Sequence, residues 1–282
     1  MATESKRAFE DLEERRLGRV RYYAGGSSGG TPLVLVHGLG GWAGNWRAVA
    51  PALAAGYRVL VPELPGHGGS EPLRGARTLD PFADAVLDVL EHEEALPAAW
   101  VGHSLGALVG VHAALRRPGM VRGLVLAAAP GITSSTRVAE LTLTALGILR
   151  PGRLVGRHSS RASRSPQFRR VALGSWAVAD PVGLTPELAQ AFLDGPPQNR
   201  DTLTAGRALV ASDPRQRLDR VACPCVCLWG TSDTWVPLAD GMEYARRLRA
   251  PLRAIADCGH LLIGERPDAV VSAVRDFVDS LD

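Results

Sequence analysis

The segment Gly102-His103-Ser104-Leu105-Gly106 carries the residues best suited to chemistry. A serine hydroxyl needs a base within hydrogen-bonding reach before it can attack a carbonyl at neutral pH. Apolar residues 98–101 and 107–115 flank the segment, which predicts a buried strand that turns directly into a helix. Small residues must surround a serine at the tip of such a strained turn, and Gly102 and Gly106 meet that demand. The segment therefore predicts a nucleophile elbow, with a chance Gly/Ser-rich turn as the alternative.

Length and composition are typical of one large globular domain. The chain has 282 residues, of which 46% are hydrophobic and 22% are charged. These values favour a single α/β core with room for an inserted subdomain. A formal net charge of +3 argues against a nucleic-acid partner. No apolar run is long enough to cross a bilayer, and residues 1–16 are too charged for a secretory signal, so we expect a cytoplasmic protein without an integral membrane segment.

The four cysteines do not predict a metal site. Cys223, Cys225 and Cys227 alternate along a segment with strand character, and Cys258 lies further on. Successive side chains of an extended chain point to opposite sides, so Cys225 would face away from the other two. Zinc sites instead use cysteine pairs whose sulfurs reach one ion. We expect reduced core residues and no bound metal.

Strand and helix patterns alternate along most of the chain, an order that predicts a mostly parallel sheet. The predicted strands cover residues 17–23, 33–37, 57–61, 98–101, 121–128, 224–229 and 252–256. The predicted helices cover residues 46–55, with Asn45 as the N-cap, and 81–96, 107–115, 238–248 and 267–281. Between Gly131 and Pro214 strand patterns give way to helical ones, as over residues 137–149 and 186–193. This stretch predicts a helical insertion.

Four separated segments resemble those of the α/β-hydrolase superfamily. They are His37-Gly38-Leu39-Gly40, Pro65-Gly66-His67-Gly68, the elbow, and the pair Gly230-Thr231-Ser232-Asp233 with Gly259-His260. The resemblance covers nearly the whole chain. It implies a mostly parallel eight-stranded sheet flanked by helices, with the elbow after the fifth strand. Residues 1–130 and 215–282 would form the two parts of this core, and residues 131–214 a helical cap over the nucleophile.

The resemblance also implies a catalytic triad in the chain order nucleophile, acid, histidine, which Ser104, Asp233 and His260 follow. His260 comes straight after the last predicted strand and can act as the base. Asp233 would hold the imidazole and offset the positive charge that it gains. Ordinary alternatives exist, because an aspartate in a Thr-Ser-Asp-Thr loop is often a turn or helix cap and most histidines are surface or core residues. Other carboxylates are less suited, since Glu63 lies early and Asp257 lies too near His260.

An oxyanion hole needs two backbone N–H donors aimed at the developing negative charge. By resemblance these are the N–H groups of Leu39 and Leu105. The glycines around Leu39, including Gly38, let the backbone come close. His37 is expected to orient this loop rather than to serve as a second base.

The predicted cap combines apolar and basic residues. Its apolar positions could line an acyl pocket or form the cap's own core, and they include Leu141, Leu143, Leu146, Ile148, Leu149, Val171, Leu173, Trp176 and Phe192. Residues 141–179 contain no carboxylate but seven arginines, namely Arg150, Arg153, Arg157, Arg161, Arg164, Arg169 and Arg170. The alternatives are a solvated basic face and a site for an anionic group, such as an acyl thioester on a pantetheine carrier or an anionic lipid.

Several activities share the implied fold, so the site residues must discriminate among them. Serine at position 104 argues against haloalkane dehalogenases and epoxide hydrolases, which carry aspartate there, and no lysine follows Asp233 as in hydroxynitrile lyases. We expect a serine hydrolase that cleaves a small-molecule ester or thioester through an acyl-enzyme, without a cofactor. Carbon–carbon bond hydrolases and cofactor-free haloperoxidases use the same triad and remain alternatives, as does a ligand receptor with little or no turnover.

Overall fold

One mixed sheet forms the centre of the protein. The computed structural model describes residues 9–133 and 159–281. Within them the sheet has eight strands in the order β1-β2-β4-β3-β5-β6-β7-β8. The strands are β1 (Leu12–Leu17), β2 (Val20–Gly26), β3 (Pro32–Val36), β4 (Arg58–Pro62), β5 (Ala98–His103), β6 (Val121–Ala127), β7 (Cys225–Gly230) and β8 (Leu252–Ile255). The pairs β1–β2 and β2–β4 are antiparallel and all others are parallel, which confirms the predicted mostly parallel, eight-stranded sheet.

The central strands are buried because helices cover both faces of a parallel sheet. Every residue of β5 and β7 is buried, and residues 33–36 of β3 are fully inaccessible to solvent. Their sequences are correspondingly apolar runs rather than alternating patterns. The sheet therefore provides a rigid support whose carboxyl ends point toward the loops that carry the candidate site.

From β3 onward, helices lie between most consecutive strands, and six of the described helices lie between β6 and β7. The described helices are α1 (Ala50–Ala54), α2 (Asp80–His92), α3 (Leu105–Arg116), α4 (Ser159–Arg164), α5 (Pro166–Ala172), α6 (Gly174–Ala177), α7 (Pro186–Leu193), α8 (Gly195–Gln198), α9 (Thr202–Val210), α10 (Leu238–Leu248), α11 (Leu262–Glu265) and α12 (Pro267–Asp279). Short 3₁₀ turns cover Ala43–Trp46 and Leu218–Arg220. In the described part of the chain, no helix is both long enough and apolar enough to span a membrane.

The N-terminal hairpin differs from the sequence prediction. The pattern predicts one strand over residues 17–23, but the chain turns at Gly18, where φ is 51°, and Leu12–Leu17 forms a further strand. Four of the six residues of β1 are exposed. Because most of its side chains are exposed and charged, this edge strand lacks the apolar pattern by which a strand is recognised in a sequence.

The predicted helix at residues 46–55 is also wrong in detail. Asn45 lies inside the 3₁₀ turn and does not cap α1. Its Oδ1 accepts a hydrogen bond from the Trp42 N–H at 3.0 Å, and its Nδ2 donates to the Ala191 carbonyl at 3.0 Å. Asn45 therefore ties the loop after β3 to helix α7, a role that local sequence does not reveal.

The described residues between β6 and β7 form helices and turns. Their apolar side chains make a separate cluster that includes Leu173, Val178 and Leu193, with Phe192 packed between it and the main core. A Cβ on Gly131 would lie 2.9 Å from the Pro214 side chain, so the two ends of the insertion meet. The helix predicted at 186–193 is confirmed as α7, whereas the one at 137–149 lies outside the described residues. The domain boundaries at 131 and 214 stay a prediction.

The cysteines are free thiols, as expected. Cys225, Cys227 and Cys258 are buried, and Cys223 is partly buried just before β7. Burial raises the pKa of Cys227 and of Cys258 to about 12. These thiols are therefore protonated at neutral pH and pack as small apolar groups.

Candidate active site

Ser104 occupies a strained position between β5 and α3. Its φ is 51° and its ψ is −119°, a conformation that non-glycine residues rarely adopt. The Ser104 N–H donates to the Ala127 carbonyl at 2.8 Å, and the Ser104 carbonyl accepts from the Ala107 N–H at 3.0 Å. Backbone strain of this size costs about 1–3 kcal/mol and persists only where surrounding structure enforces it. The turn thus projects one hydroxyl from the carboxyl edge of the sheet.

The two elbow glycines allow this turn to form. A Cβ on Gly102 would lie 2.4 Å from the backbone of Ala107, and a Cβ on Gly106 would lie 2.2 Å from the Val36 carbonyl oxygen. Real Cβ atoms do not approach other atoms so closely, so only glycine fits while α3 packs against β3 and β5. The small residues predicted at these positions are required by the backbone geometry.

The loop after β3 passes directly beside the serine. A Cβ on Gly38 would lie 3.1 Å from the Ser104 Cβ. Leu105 is the first residue of α3, and the N–H groups that open a helix have no partner within it. Leu39 lies one residue beyond Gly38 in a turn. The loop after β3 therefore passes next to Ser104, the residue that immediately precedes α3.

His37 is held in one tautomer by two backbone groups. Its Nε2 accepts from the Leu64 N–H at 3.1 Å, so its Nδ1–H donates to the Gly38 carbonyl at 2.8 Å. Burial, followed by the nearby His67, lowers the pKa of His37 to about 3. A neutral ring with both nitrogens engaged is unsuited to act as a base, and it fixes the conformation of the loop.

Asp233 and His260 form a buried hydrogen-bonded pair. The His260 Nδ1–H donates to Asp233 Oδ2 at 2.8 Å, and the side chains are 3% and 0% exposed. The other carboxylate oxygen, Oδ1, accepts from the N–H groups of Trp235 and Val236, both at 2.9 Å. Asp233 therefore caps its own turn and orients the imidazole at the same time. In a neutral imidazole that carries its proton on Nδ1, the other ring nitrogen, Nε2, is an acceptor.

His103 links the histidine loop to the elbow. Its Nε2–H donates to the His260 carbonyl at 2.8 Å, and the two ring centroids are 5.1 Å apart. Burial, followed by the neighbouring His260, lowers the pKa of His103 to about 3. The residue next to Ser104 thus fixes the backbone of His260. The position of His103 in the elbow sequence gives no indication of this long-range contact.

The other carboxylates near the site have partners of their own. Glu63 is fully buried and accepts from the Arg21 Nε–H at 2.7 Å and from the Gly69 N–H at 2.7 Å. Asp257 is exposed. Asp240 was missed by sequence reasoning, because the loop after β6 contains no acid of its own. It is buried at the start of α10 and accepts from the N–H and the hydroxyl of Thr133, each at 3.1 Å.

Some of the arginines and apolar residues predicted for the cap lie within the described residues. Arg169 is buried, and its guanidinium donates to the carbonyls of Ser163, Pro181 and Val182, so it holds together the helices and turns between β6 and β7. Arg161, Arg164 and Arg170 are exposed, and Val171 is 78% exposed rather than part of a pocket or core. Leu173 is in the cap cluster and Phe192 packs against it. Outside the described residues, or without a described side chain, are Leu141, Leu143, Leu146, Ile148, Leu149, Arg150, Arg153, Arg157 and Trp176.

Comparison with known proteins identifies the family. The family model described as "Alpha/beta hydrolase family" matches residues 33–273. The chain belongs to the alpha/beta hydrolase family. This match spans the elbow, the Asp233 loop and the His260 loop, and it confirms the resemblance seen in the sequence.

Several relatives of this alpha/beta hydrolase are known by name. It is 34% identical to a pimeloyl-[acyl-carrier protein] methyl ester esterase of Aromatoleum aromaticum, over 87% of this chain and 97% of that protein. It is 29% identical to a 2-hydroxy-6-oxononadienedioate/2-hydroxy-6-oxononatrienedioate hydrolase of Cupriavidus pinatubonensis, over 89% and 88%. It is 30% identical, over 92% of its own length, to the dihydrolipoyllysine-residue acetyltransferase component of an acetoin cleaving system of Pseudomonas putida, and it spans 66% of that longer protein.

Solved structures share the fold of this hydrolase. A putative lipase from Acinetobacter baumannii superposes with a TM-score of 0.77 at 22% identity, covering 96% of this chain and 91% of the lipase. At this identity the likeness concerns the fold alone. The reaction must therefore be argued from the site.

Proposed function

We propose that this alpha/beta hydrolase cleaves a carboxylic ester or thioester through an acyl-enzyme formed on Ser104. The observation that carries the proposal is the buried hydrogen bond from His260 to Asp233, in a loop whose backbone is tied to the residue next to Ser104. In the proposed site, the Asp233–His260 pair would activate the hydroxyl of Ser104, as an acid–histidine pair does for a serine within hydrogen-bonding reach.

The proposed reaction has two halves. In the first, the Ser104 oxygen attacks the carbonyl carbon while His260 Nε2 accepts the hydroxyl proton, and that proton then passes to the departing alcohol or thiol. In the second, water attacks the acyl-enzyme, His260 accepts a proton from the water, and the proton returns to the Ser104 oxygen as the acid leaves. The N–H groups of Leu39 and Leu105 would stabilise the oxyanion in both halves.

A nitrophenyl ester of a short acid tests the proposal directly. The wild-type protein should release nitrophenol with a burst equal to the concentration of sites, and Ser104→Ala should abolish the burst. A fluorophosphonate should label wild type at Ser104 and leave the variant unlabelled. Unchanged turnover in the variant would refute the assignment of the nucleophile. A folded wild type without burst or label would instead favour a ligand receptor on the same fold.

A second candidate reaction is hydrolysis of a carbon–carbon bond. It is favoured by the 29% identity to the 2-hydroxy-6-oxononadienedioate hydrolase over nearly the full length of both chains. A substrate panel separates the two, with nitrophenyl esters and acyl thioesters of graded chain length beside a 2-hydroxy-6-oxo-dienoate. The ester proposal expects the highest kcat/KM on an ester or thioester, and a clear preference for the dienoate would overturn it.

A further inference from the structure

The cap contacts the histidine loop on both sides of His260. The Leu261 N–H donates to the Ala177 carbonyl at 3.1 Å. On the other side, a Cβ on Gly259 would lie 2.8 Å from the Ala179 nitrogen and 2.8 Å from the Val178 Cα. The two backbone segments therefore lie in direct contact, with residues 177–179 of the cap against residues 259–261 of the core. We call this contact the cap–histidine seam.

One carboxylate closes this seam. Glu265 ends the single-turn helix α11, and its Oε1 accepts from the Gly259 N–H at 2.9 Å. Its Oε2 accepts from the Ala179 N–H at 2.7 Å. Neither N–H belongs to a strand or a helix, so the carboxylate holds together two segments that lack regular backbone pairing at these residues. Hydrogen bonds to an ionised group are about twice as strong as neutral ones.

The Glu265 carboxylate makes these hydrogen bonds in a partly buried environment. Burial raises the pKa of the Glu265 carboxyl, while the N–H groups of Ala179, Gly259 and Asp180 and the charge of Arg266 lower it in part. A partly buried carboxylate that loses one partner leaves a desolvated charge or a desolvated N–H behind, which is unfavourable. The seam is therefore sensitive to a change at this one side chain.

We propose that Glu265 is a positioning residue that couples the seating of the cap to the orientation of His260. The inference rests on the proposed function, in which His260 is the base. Glu265 holds the residue before His260 and Ala177 holds the residue after it, so the seated cap supports the backbone that carries the imidazole, while His103 and Asp233 hold His260 from the core. Residues 177–179 would accordingly stay in place during substrate entry, and any opening motion would belong to other parts of the cap.

Two substitutions break the seam from opposite sides. Glu265→Gln keeps one acceptor oxygen, but its NH₂ group would face either the Gly259 or the Ala179 N–H, and two donors cannot form a hydrogen bond. Ala179→Pro removes the cap-side N–H and leaves Glu265 intact; Val178 has the extended conformation, with φ −132° and ψ 148°, that suits a residue before proline. Glu187→Gln is the matched control, because it replaces an exposed cap carboxylate in the first turn of α7.

Two readouts test the coupling. Hydrogen exchange of the Gly259 and Leu261 amides should accelerate in both seam variants and not in Glu187→Gln, while amides of the central strands stay protected. With a nitrophenyl ester, kcat of both seam variants should fall by roughly 10- to 100-fold with little change in KM, whereas Glu187→Gln should keep the wild-type kcat. The reason is that Glu265 is proposed to act through His260 rather than on the substrate. Substitutions that only destabilise the fold would accelerate exchange throughout the core.

The outcomes are separable from those of the nucleophile test. Exchange needs no turnover, so it reports on the seam even if Ser104 is not the nucleophile. The inference is overturned if Ala179→Pro leaves kcat and the exchange of Gly259 unchanged, or if Glu265→Gln raises KM alone. If Glu265→Gln fails to fold, Ala179→Pro decides the result by itself. Retained turnover in Ser104→Ala would instead count against the proposed function.

Discussion

At the scale of single residues, several side chains of the candidate site serve two purposes at once. Asp233 meets the ordinary expectation for its loop, since its Oδ1 caps the turn, and also the chemical one, since its Oδ2 orients His260. The two interpretations compete in the sequence but not in the structure, because a carboxylate has acceptor sites enough for both. The turn cap moreover fixes the carboxylate and so restricts the direction from which the imidazole can approach.

Asp233→Asn separates these two purposes. The amide oxygen can still cap the turn, but the amide cannot stabilise a protonated imidazole and favours the wrong tautomer. We expect kcat for a nitrophenyl ester to fall by about 10⁴-fold with little loss of stability. Asp257→Asn, at an exposed position three residues before His260, is the control and should retain wild-type kcat. A fall of less than tenfold in Asp233→Asn would argue that another acid supports His260.

At the scale of elements, the strand–turn–helix unit around Ser104 depends on close packing. Helix α3 approaches β3 so closely at Gly106 that a methyl group has no space. Trp100 of β5 donates its indole N–H to the Gly106 carbonyl at 3.0 Å, which fixes the first turn of α3 on the strand that precedes it. The strain at Ser104 is thus maintained by contacts on both sides of the turn.

Gly106→Ala should push α3 away from β3. We expect a loss of roughly 1–3 kcal/mol of unfolding free energy, measured in urea, together with a large loss of ester turnover. Gly56→Ala is the matched control, since nothing lies within 4 Å of its Cβ position and its φ is not in the left-handed region. That variant should be neutral or slightly stabilising. Equal stability of the two variants would contradict the close approach described here.

The exposed arginines of α4, together with Arg170, belong to the basic segment for which the sequence leaves both a solvated face and an anion site open. Arg161 and Arg164 are exposed to solvent, whereas Arg169 is buried and donates a hydrogen bond to the Ser163 carbonyl. Replacing Arg161 and Arg164 together with alanine should raise KM for acyl substrates that carry a carboxylate or phosphate by several-fold, and leave neutral esters unaffected. Arg253→Ala, at an exposed arginine on β8, is the control. An equal change for charged and neutral substrates would favour the solvated basic face.

At the scale of the whole molecule, long-range hydrogen bonds join the residues between β6 and β7 to the rest of the chain. Trp42 donates its indole N–H to the Ala191 carbonyl at 2.7 Å, and Asn199 donates to the Gly40 carbonyl at 2.7 Å. The Asn199 Oδ1 also accepts from the Gly68 N–H at 2.8 Å. The described residues between β6 and β7 therefore contact the loops after β3 and after β4, and the first of these loops passes beside Ser104.

Buried neutral histidines should make the fold sensitive to acid. Burial lowers the pKa of His37 and His103 to about 3 and that of His67 to about 4, all below the unfolded value. The unfolded chain then binds more protons than the folded one below neutral pH, so stability falls as pH drops. Asp240 and Glu265, whose pKa burial raises, oppose this trend.

Urea unfolding measured from about pH 7.5 down to about pH 5 should show a steady loss of stability, on the order of 1–2 kcal/mol for each buried histidine. His92 is exposed at the end of α2, so His92→Gln should leave the slope unchanged. A flat profile over this range would mean that these rings take up protons in the folded state.

Much of the fold was predictable because its elements are strongly patterned. The buried parallel strands are continuous apolar runs, and α7 and α10 have the boundaries that the sequence predicts. The N-terminal hairpin was mispredicted because its outer strand is mostly charged and exposed. Helix α1 was mispredicted because the loop after β3 is organised by contacts with the cap, through Asn45 and Ala191, and not by local propensity.

The sequence by itself predicted the buried parallel strands and the strained turn at Ser104, because hydrophobic periodicity and glycine placement are local properties, and the family resemblance pointed to Asp233 and His260. Only the tertiary structure decided which groups touch across the fold. The bonds from His103 to the His260 carbonyl, from Asp240 to Thr133 and from Glu265 to the cap join residues from separate segments. No local pattern encodes such contacts, since they arise when separate elements pack and each buried polar group must find a partner.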